Sequence, residues 1–160
     1  MLVGISGKSG SGKSTMADYL VERHGFRLAH FKTPLLFSVS MLVAPQRKPY
    51  TPEYRRLLQE VGSAFRRYNP DSLVQCQEKF NGRRSLVLDD VRFRNEAAWV
   101  KDNGGILWRI VTPSIGCDHE SETDLDAYDG WDAVYQREDE TPIETAYEWV
   151  DEVLATLNSR

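Results

Sequence analysis

The feature that most constrains this chain is a glycine-rich segment close to its first residue. Residues 7–14 read Gly-Lys-Ser-Gly-Ser-Gly-Lys-Ser, which matches the pattern G-x-x-x-x-G-K-[ST] in full. The apolar run Leu2–Ser6 precedes it and predicts a buried strand, and apolar residues at helical spacing follow it from Ser14 to Arg23. A strand that enters such a loop and a helix that leaves it predict a phosphate-binding loop. The alternative is a loop rich in glycine and serine that matches by chance.

The chemistry of such a loop gives its residues specific roles. Glycines let the backbone amides turn inward around phosphate oxygens, and the start of the following helix adds partial positive charge. Lys13 is expected to reach the β- and γ-phosphates of ATP, and Ser14 to bind Mg²⁺ through its hydroxyl. The residues predicted to hold the nucleotide are Gly7, Lys8, Ser9, Gly10, Ser11, Gly12, Lys13, Ser14 and Thr15.

Strand and helix signals alternate along much of the chain. Short apolar runs predict further strands at 26–31, 85–88, 106–111 and 133–135, and helical patterns separate them. Such alternation is typical of a parallel sheet with helices on both faces. We therefore expect an α/β fold, a three-layer sandwich around a mostly parallel sheet of about five strands.

Residues about 32–82 interrupt the alternation and predict a helical insert. Helices are expected to begin at Pro34 and at Thr51, where threonine is a good N-cap and the next residue is a proline. A third helix is expected from Asn69 to about Phe80.

The chain, residues 1–160, is expected to form a single domain, since its length suits one core. Its core would comprise residues 1–31 and 83–160, with a last helix over about 141–157 that begins at a capping box. Residues about 114–131 are polar, acidic and rich in turn formers, and they predict a loop or a lid.

An apolar strand that ends in carboxylates predicts a second part of the site. Asp89 and Asp90 follow the strand, and Arg92 and Arg94 come directly after them. This places them at the carboxyl edge of the sheet, where ligands of open α/β sheets bind. A carboxylate there can hold the water shell of Mg²⁺, and an arginine can offset the charge on a transferring phosphoryl group. Alternatively, Asp90 caps a helix and pairs with Arg92 or Arg94. The predicted catalytic residues are Lys13, Asp90 and Arg92, and the predicted metal ligands are Ser14 and Asp90.

The helical insert carries several cations. Arg56 and Gln59 are three residues apart and therefore share one face of a helix, and Arg55, Arg66 and Arg67 lie on the same segment. Such a face can hold a second phosphate. From spacing alone, a solvent-exposed surface helix is the favoured interpretation.

Bulk composition excludes some functions. A net charge of −4 argues against a broad basic surface for nucleic acid, and an apolar run long enough to cross a membrane is absent from the sequence. Cys76 and Cys117 are far apart and favour a reducing compartment over a disulfide or a zinc site. We expect a cytoplasmic protein with no nucleic-acid and no membrane partner.

Seven sequence blocks occur in an order typical of one enzyme family. They are G-I-S-G-K-S-G-S-G-K-S-T at 4–15, H-F-K-T-P-L at 30–35, R-R-L-L-Q-E-V-G at 55–62, N-P-D at 69–71, D-D-V-R-F-R-N-E-A at 89–97, G-G-I-L-W-R-I-V-T-P at 104–113 and H-E-S-E at 119–122. With these blocks the chain resembles the bacteriophage deoxynucleoside monophosphate kinases, a branch of the nucleoside monophosphate kinase-like phosphate-loop enzymes.

The resemblance implies an ATP- and Mg²⁺-dependent enzyme that converts a deoxynucleoside monophosphate (dNMP) to the diphosphate. It also implies that the insert binds the monophosphate, that the lid closes over ATP and that the protein works in a cytoplasm, that of the host if a phage encodes it. A homodimer is an open option for its assembly. The residues implied to bind the acceptor are Lys32, Arg55, Arg56, Gln59, Arg67 and Arg92.

The chain departs from the family pattern at three points. Leu73 and Val74 occupy a stretch where many relatives carry a tryptophan, and Thr112 stands where relatives often have an arginine before a proline. The predicted lid contains no arginine. Candidates to replace a lid arginine are Arg92, Arg94, Arg109 and Arg137. Two alternative functions remain, namely a phosphate-loop kinase acting on a phosphorylated alcohol or cofactor precursor, and a nucleotide-binding switch without catalysis.

Overall fold

A computed structural model describes residues 1–47, 49–77, 82, 84–113, 123–138 and 141–158. These residues form two compact units, each with its own apolar cluster. The core unit comprises Met1–Ala29 and Phe80–Arg160, and the helical unit comprises His30–Lys79. The helices are α1 (Lys13–His24), α2 (Thr33–Ser40), α3 (Pro52–Tyr68), α4 (Arg94–Asp102) and α5 (Ile143–Asn158).

The core unit is built on a five-stranded sheet in which every pairing is parallel. Its strands are β1 (Leu2–Gly7), β2 (Arg27–Ala29), β3 (Leu86–Leu88), β4 (Ile106–Val111) and β5 (Ala133–Gln136), in the spatial order β2-β3-β1-β4-β5. The predicted three-layer α/β fold with about five strands is confirmed. Because all strands are parallel, their carboxyl ends share one edge, and that edge carries the glycine-rich loop.

Both faces of the sheet are covered, because side chains alternate along β1. Val3 and Ile5 are fully buried in a cluster with residues of α1 and α5. Gly4 faces the opposite side, where a β-carbon would lie 3.0 Å from side-chain atoms of Val91, Val100 and Leu107. Glycine at this position therefore lets α4 pack closely against the central strand.

The helical unit has a small core formed by α2, α3 and the residues after them. Leu35, Val39, Tyr54 and Leu73 are buried together. The predicted start of α3 is confirmed, since the Tyr54 amide donates to the Thr51 hydroxyl at 3.3 Å and proline follows the cap. This helix continues to Tyr68.

The predicted helix from Asn69 onward is wrong over its described part, because residues 70–77 form turns and a bend. The Asn69 side chain accepts from the Asp71 amide at 3.0 Å and donates to the Gln75 side chain at 3.0 Å. These local bonds give the backbone an alternative to helix, as asparagine and aspartate often do. Residues 78–80 of the prediction lie outside the described residues.

The last helix begins at Ile143, two residues after the predicted cap. The Thr141 hydroxyl instead bonds both backbone groups of Glu138, accepting from the amide at 3.2 Å and donating to the carbonyl at 2.9 Å.

Among the described residues, no helix combines the length and the apolarity that a bilayer crossing requires.

Candidate active site

The glycine-rich loop joins β1 to α1 and presents backbone amides at its concave side. Gly10 and Gly12 have φ of 81° and 101°, a conformation that residues with a β-carbon rarely adopt. Gly12 precedes α1 and supplies no side-chain cap, and the first helical bond runs from the Met16 amide to the Gly12 carbonyl at 3.1 Å. The amides of Lys13, Ser14 and Thr15 come before this bond and have no acceptor within the helix, and such amides at a helix start suit an anion.

Lys13 is buried within this loop, with 8% of its surface exposed. Its ammonium donates to the carbonyls of Gly7 at 2.6 Å and Lys8 at 2.7 Å. The Ser11 hydroxyl is also buried, and it has no hydrogen-bond partner among the described residues. A buried cation, a set of inward amides and an unpaired hydroxyl together fit the phosphates of a nucleotide.

Replacing Gly7 by alanine is expected to distort the loop. A β-carbon there would lie 2.6 Å from the Ser11 hydroxyl oxygen and 2.8 Å from the Ile110 carbonyl oxygen, at a φ of 156°. Such overpacking costs about 1–3 kcal/mol. We expect a lower thermal unfolding midpoint and loss of the stabilisation that ATP confers, measured by thermal shift with and without ATP.

Gly25→Ala is the matched control, because Gly25 also has positive φ (69°) but no atom lies within 4 Å of its would-be β-carbon. It should lower the midpoint and leave the ATP-induced shift intact. An unchanged ATP-induced shift in Gly7→Ala would contradict the steric argument.

The loop serine contacts the first of the two carboxylates after β3. The Ser14 hydroxyl donates to Asp89 Oδ2 at 2.8 Å. The sequence predicts the neighbouring Asp90 as the carboxylate that binds the metal together with Ser14. Both carboxylates are buried, at 3% and 4% exposure, and the role of Asp90 stays a prediction. Hydroxyl and carboxylate oxygens so placed are a donor set that fits Mg²⁺.

The backbone that follows these carboxylates is held by Glu96, whose role the sequence analysis missed. Its buried carboxylate accepts from the amides of Arg92 at 2.7 Å and Phe93 at 3.1 Å. Phe93 is the N-cap residue of α4, so Glu96 occupies the third helical position, where an acid commonly reaches back to the cap. The three-residue spacing between Phe93 and Glu96 was the sequence signal from which this role could have been predicted. Arg92, whose side chain is half-buried, is thereby set in a fixed backbone.

A carboxylate on the segment before β5 links the loop to the centre of the sheet. Asp126 accepts from Lys8 Nζ at 2.9 Å and from Arg109 Nη2 at 3.2 Å. The other guanidinium nitrogen of Arg109 donates to the Ser6 hydroxyl at 3.0 Å, and the group lies 5.3 Å from the centre of the Trp131 ring. We call Lys8, Arg109 and Asp126 the Asp126 clamp. Sequence analysis found none of these contacts.

Two other aspartates near Asp126 accept hydrogen bonds from backbone amides elsewhere in the core unit. Asp124 accepts from the Arg94 amide at 2.8 Å, and Asp132 accepts from the Leu107 amide at 2.6 Å. The acidic residues of the predicted lid thus include Asp124 and Asp126, which bond to other parts of the core unit. Residues 114–122, which include the H-E-S-E block, lie outside the described residues.

A small cleft beside the loop brings Arg137 into the site. Arg137 Nη1 donates to the Gly10 carbonyl at 3.5 Å, and the cleft is also lined by Ser11, Tyr135 and Pro142. The Tyr135 hydroxyl is buried and, within the described ranges, unpaired. Burial raises the pKa of Tyr135 despite the opposing effect of Arg137, so the hydroxyl stays a neutral donor near pH 7. Two unpaired hydroxyls and a guanidinium therefore lie beside the loop, around a cleft of only about 10 Å³, roughly the space of one water molecule.

The cations predicted to bind the acceptor divide between the two units. Arg92 belongs to the core unit, and Lys32 immediately precedes α2 in the helical unit. The other four residues predicted to bind the acceptor, three arginines and a glutamine, all lie on the single helix α3. Three of them are exposed and the glutamine is half-buried, and they are Arg55, Arg56, Arg67 and Gln59.

Comparisons with known proteins place the chain in a family. The family model described as AAA domain matches residues 3–121. A protein of Acanthamoeba polyphaga mimivirus, provisionally named deoxynucleotide monophosphate kinase, is 32% identical over 167 residues, which is 84% of this chain and 86% of that protein.

Solved structures share the fold at low sequence identity. Shikimate kinase from Acinetobacter baumannii, in complex with shikimate, has a TM-score of 0.58 at 16% identity over 99% of this chain and 93% of its own. Shikimate kinase from Aquifex aeolicus has a TM-score of 0.50 at 16% identity over 99% and 97%. With its phosphate loop and parallel sheet, the chain belongs to the AAA-domain family of phosphate-loop proteins and is a phosphate-loop kinase, an ATP-dependent phosphotransferase.

Proposed function

We propose that this kinase transfers the γ-phosphoryl group of ATP to a dNMP, giving ADP and the deoxynucleoside diphosphate. The observation that carries the proposal is the polar face of α3, where arginines and a glutamine are grouped on a unit separate from the phosphate loop. A second anionic ligand explains that grouping, since a kinase that accepts a neutral alcohol needs fewer cations. The name given to the mimiviral relative supports the same acceptor class.

The donor phosphates are assigned to the loop. Its amides and the Lys13 ammonium would bind the β- and γ-phosphates as charge-assisted hydrogen bonds. Ser14 and Asp89 would hold Mg²⁺, with Asp90 beside them, and the ion would neutralise charge on the same phosphates. Arg137, which contacts the loop backbone at Gly10, would lie beside the bound ATP.

The acceptor is assigned to the cations of the helical unit and to Arg92. Arg55, Arg56 and Arg67 offer planar guanidinium groups that match the oxygens of a phosphate, and Gln59 offers an amide to a base or sugar. Lys32 would add a point charge. Arg92, whose backbone amide donates to Glu96, would offset the charge that spreads over the transferring group.

The transfer itself needs no covalent enzyme intermediate. An oxygen of the acceptor phosphate forms a bond to the γ-phosphorus while the bond from that phosphorus to the β–γ bridging oxygen breaks, and ADP leaves with the electron pair. The attacking oxygen is already ionised at neutral pH, so no strong base is required. Catalysis then rests on alignment of the two phosphates and on fixed positive charge.

An ADP-release assay with each of the four dNMPs tests this proposal. We expect turnover that depends on at least one dNMP and on Mg²⁺. A panel of phosphorylated alcohols, with shikimate as an alcohol that carries no phosphate, serves as the comparison. Turnover with a member of that panel and none with any dNMP would assign the kinase a different acceptor, and no acceptor-dependent turnover would favour a nucleotide-binding switch.

Two arginine substitutions should affect opposite substrates. Arg56→Ala is expected to raise the KM for the acceptor about tenfold with little change in the KM for ATP, because one charge-assisted hydrogen bond is lost. Arg137→Ala should raise the KM for ATP by a similar factor and leave the acceptor KM unchanged, since Arg137 contacts the loop backbone. Initial rates with each substrate varied in turn measure both. A defect on the same substrate in both variants would contradict the separate assignments.

A further inference from the structure

One face of α3 carries a row of residues in which one arginine is held differently from the others. Arg55, Gln59, Gly62 and Arg66 follow one another at steps of four, three and four, so they lie along one side of the helix. Arg55, Arg56 and Arg67 are exposed, whereas Arg66 is half-buried. The family resemblance and the sequence spacing placed Arg66 in no specific role.

Gly62 determines where the Arg66 guanidinium lies. A β-carbon on residue 62 would be 3.1 Å from Arg66 Nη1. The Arg66 side chain therefore runs back by one turn along its own helix and covers the glycine, which is buried. On its other side, the same β-carbon would be 3.3 Å from Leu35 Cδ2 of α2. The hydrogen of glycine leaves room for both neighbours, and a methyl group would have to displace one of them.

We propose that Arg66, seated over Gly62, is the residue that fixes the acceptor's phosphate within the helical unit. The inference rests on the proposed function and names a further binding residue for it. An exposed arginine must lose its side-chain freedom when it binds an anion, whereas Arg66 has already lost much of it. Its guanidinium lies beside Gly62, and Gln59 comes three residues before Gly62 on the same side of the helix, so we expect the two to contact the same ligand. Gly62 is the positioning residue that allows this placement.

The test measures each substrate separately in Arg66→Ala, Arg66→Lys and Gly62→Ala, with Arg47→Ala as the control. Arg47 is an exposed arginine of the same unit, outside both helices and outside every site assigned above. We expect Arg66→Ala to raise the acceptor KM at least about tenfold, with the KM for ATP within about twofold of wild type, as for loss of a charge-assisted bond. Arg66→Lys should recover only part of the loss, because an ammonium cannot bind two oxygens as a planar fork.

Gly62→Ala separates positioning from stability. Alanine is the better helix former, so a purely structural change should leave the acceptor KM unaltered. We expect the acceptor KM to rise severalfold while the thermal midpoint changes little. Binding of the matching deoxynucleoside, which lacks the phosphate, should be equal in wild type and Arg66→Ala.

The outcomes distinguish this proposal from the proposed function. If wild type phosphorylates a dNMP and Arg66→Ala behaves as Arg47→Ala does, Arg66 is not the phosphate anchor and the proposed function stands. If wild type phosphorylates no dNMP, the proposed function fails. The probe is then inorganic phosphate, titrated with the loop filled by Mg²⁺ and a non-hydrolysable ATP analogue. Weaker phosphate binding in Arg66→Ala would support the anchor, and equal binding in both proteins would overturn it.

Discussion

Lys13→Ala is expected to lower kcat/KM for ATP by about 10²–10³-fold, the usual loss when one fixed donor to a developing charge is removed. The ammonium lies inside the loop, 2.6 Å from the Gly7 carbonyl and 2.7 Å from the Lys8 carbonyl. In the free enzyme it therefore holds the loop together, and in the complex it would bind the phosphates. Steady-state kinetics with ATP varied at saturating acceptor measures the loss.

The same substitution should cost much less in stability. It leaves two carbonyls without their charged partner, at about 1–3 kcal/mol, which corresponds to roughly 2–4 °C in the unfolding midpoint per kcal/mol at this chain length. Lys13→Met keeps the apolar stem without the charge and should be as inactive as Lys13→Ala. Lys101→Ala, which removes a lysine paired with Asp132 away from the loop, should retain activity. Wild-type rates in Lys13→Met would exclude the charge as the cause.

Asp89→Asn is expected to reduce kcat by about 10²-fold or more and to raise the Mg²⁺ concentration required for half-maximal rate. An amide oxygen can still accept from the Ser14 hydroxyl, 2.8 Å away in the native protein, so the local fold should persist. What is lost is the negative charge that would hold the ion. Rates measured over a Mg²⁺ series at constant ATP separate metal binding from nucleotide binding.

Asp90→Asn is the matched comparison, since Asp90 is the neighbouring carboxylate and is equally buried. The sequence favours Asp90 as the metal residue, whereas the contact with Ser14 favours Asp89. We therefore expect the larger shift in Mg²⁺ dependence for Asp89→Asn. A larger shift for Asp90→Asn would return the assignment to the one made from sequence.

The parts of the fold that follow from local pattern were predictable. β1, the loop and α1 were placed because their signals, an apolar run, a glycine motif and helical spacing, are contiguous in sequence. The helix predicted from Asn69 was wrong for a local reason, and sequence rules do not decide between the two conformations open to this segment. An Asn-Pro pair can start a helix or a turn, and the bonds from Asn69 to Asp71 and Gln75 decide for the turn.

The candidate site was predictable only where its residues are contiguous. The loop residues could be identified one by one, but the choice between Asp89 and Asp90 depends on which side chain faces α1 at the end of β3, and adjacent residues of a strand point to opposite faces. Arg137 lies 127 positions from the Gly10 carbonyl that it contacts. No periodicity links such distant positions, so only the fold reveals the cleft beside the loop.

The Asp126 clamp changes how selective the loop should be among anions. The loop carries two lysines, Lys8 and Lys13, that could attract an anion. Asp126, however, forms ion pairs with both Lys8 and Arg109 and so offsets part of the positive charge beside the loop. A ligand with one phosphate meets this partly neutralised surface and gains little from long-range attraction. A triphosphate can occupy the amides and Lys13 at the same time and still have an oxygen left to compete for Lys8. The loop should therefore discriminate against the inorganic phosphate that is abundant in cells, before any lid closes.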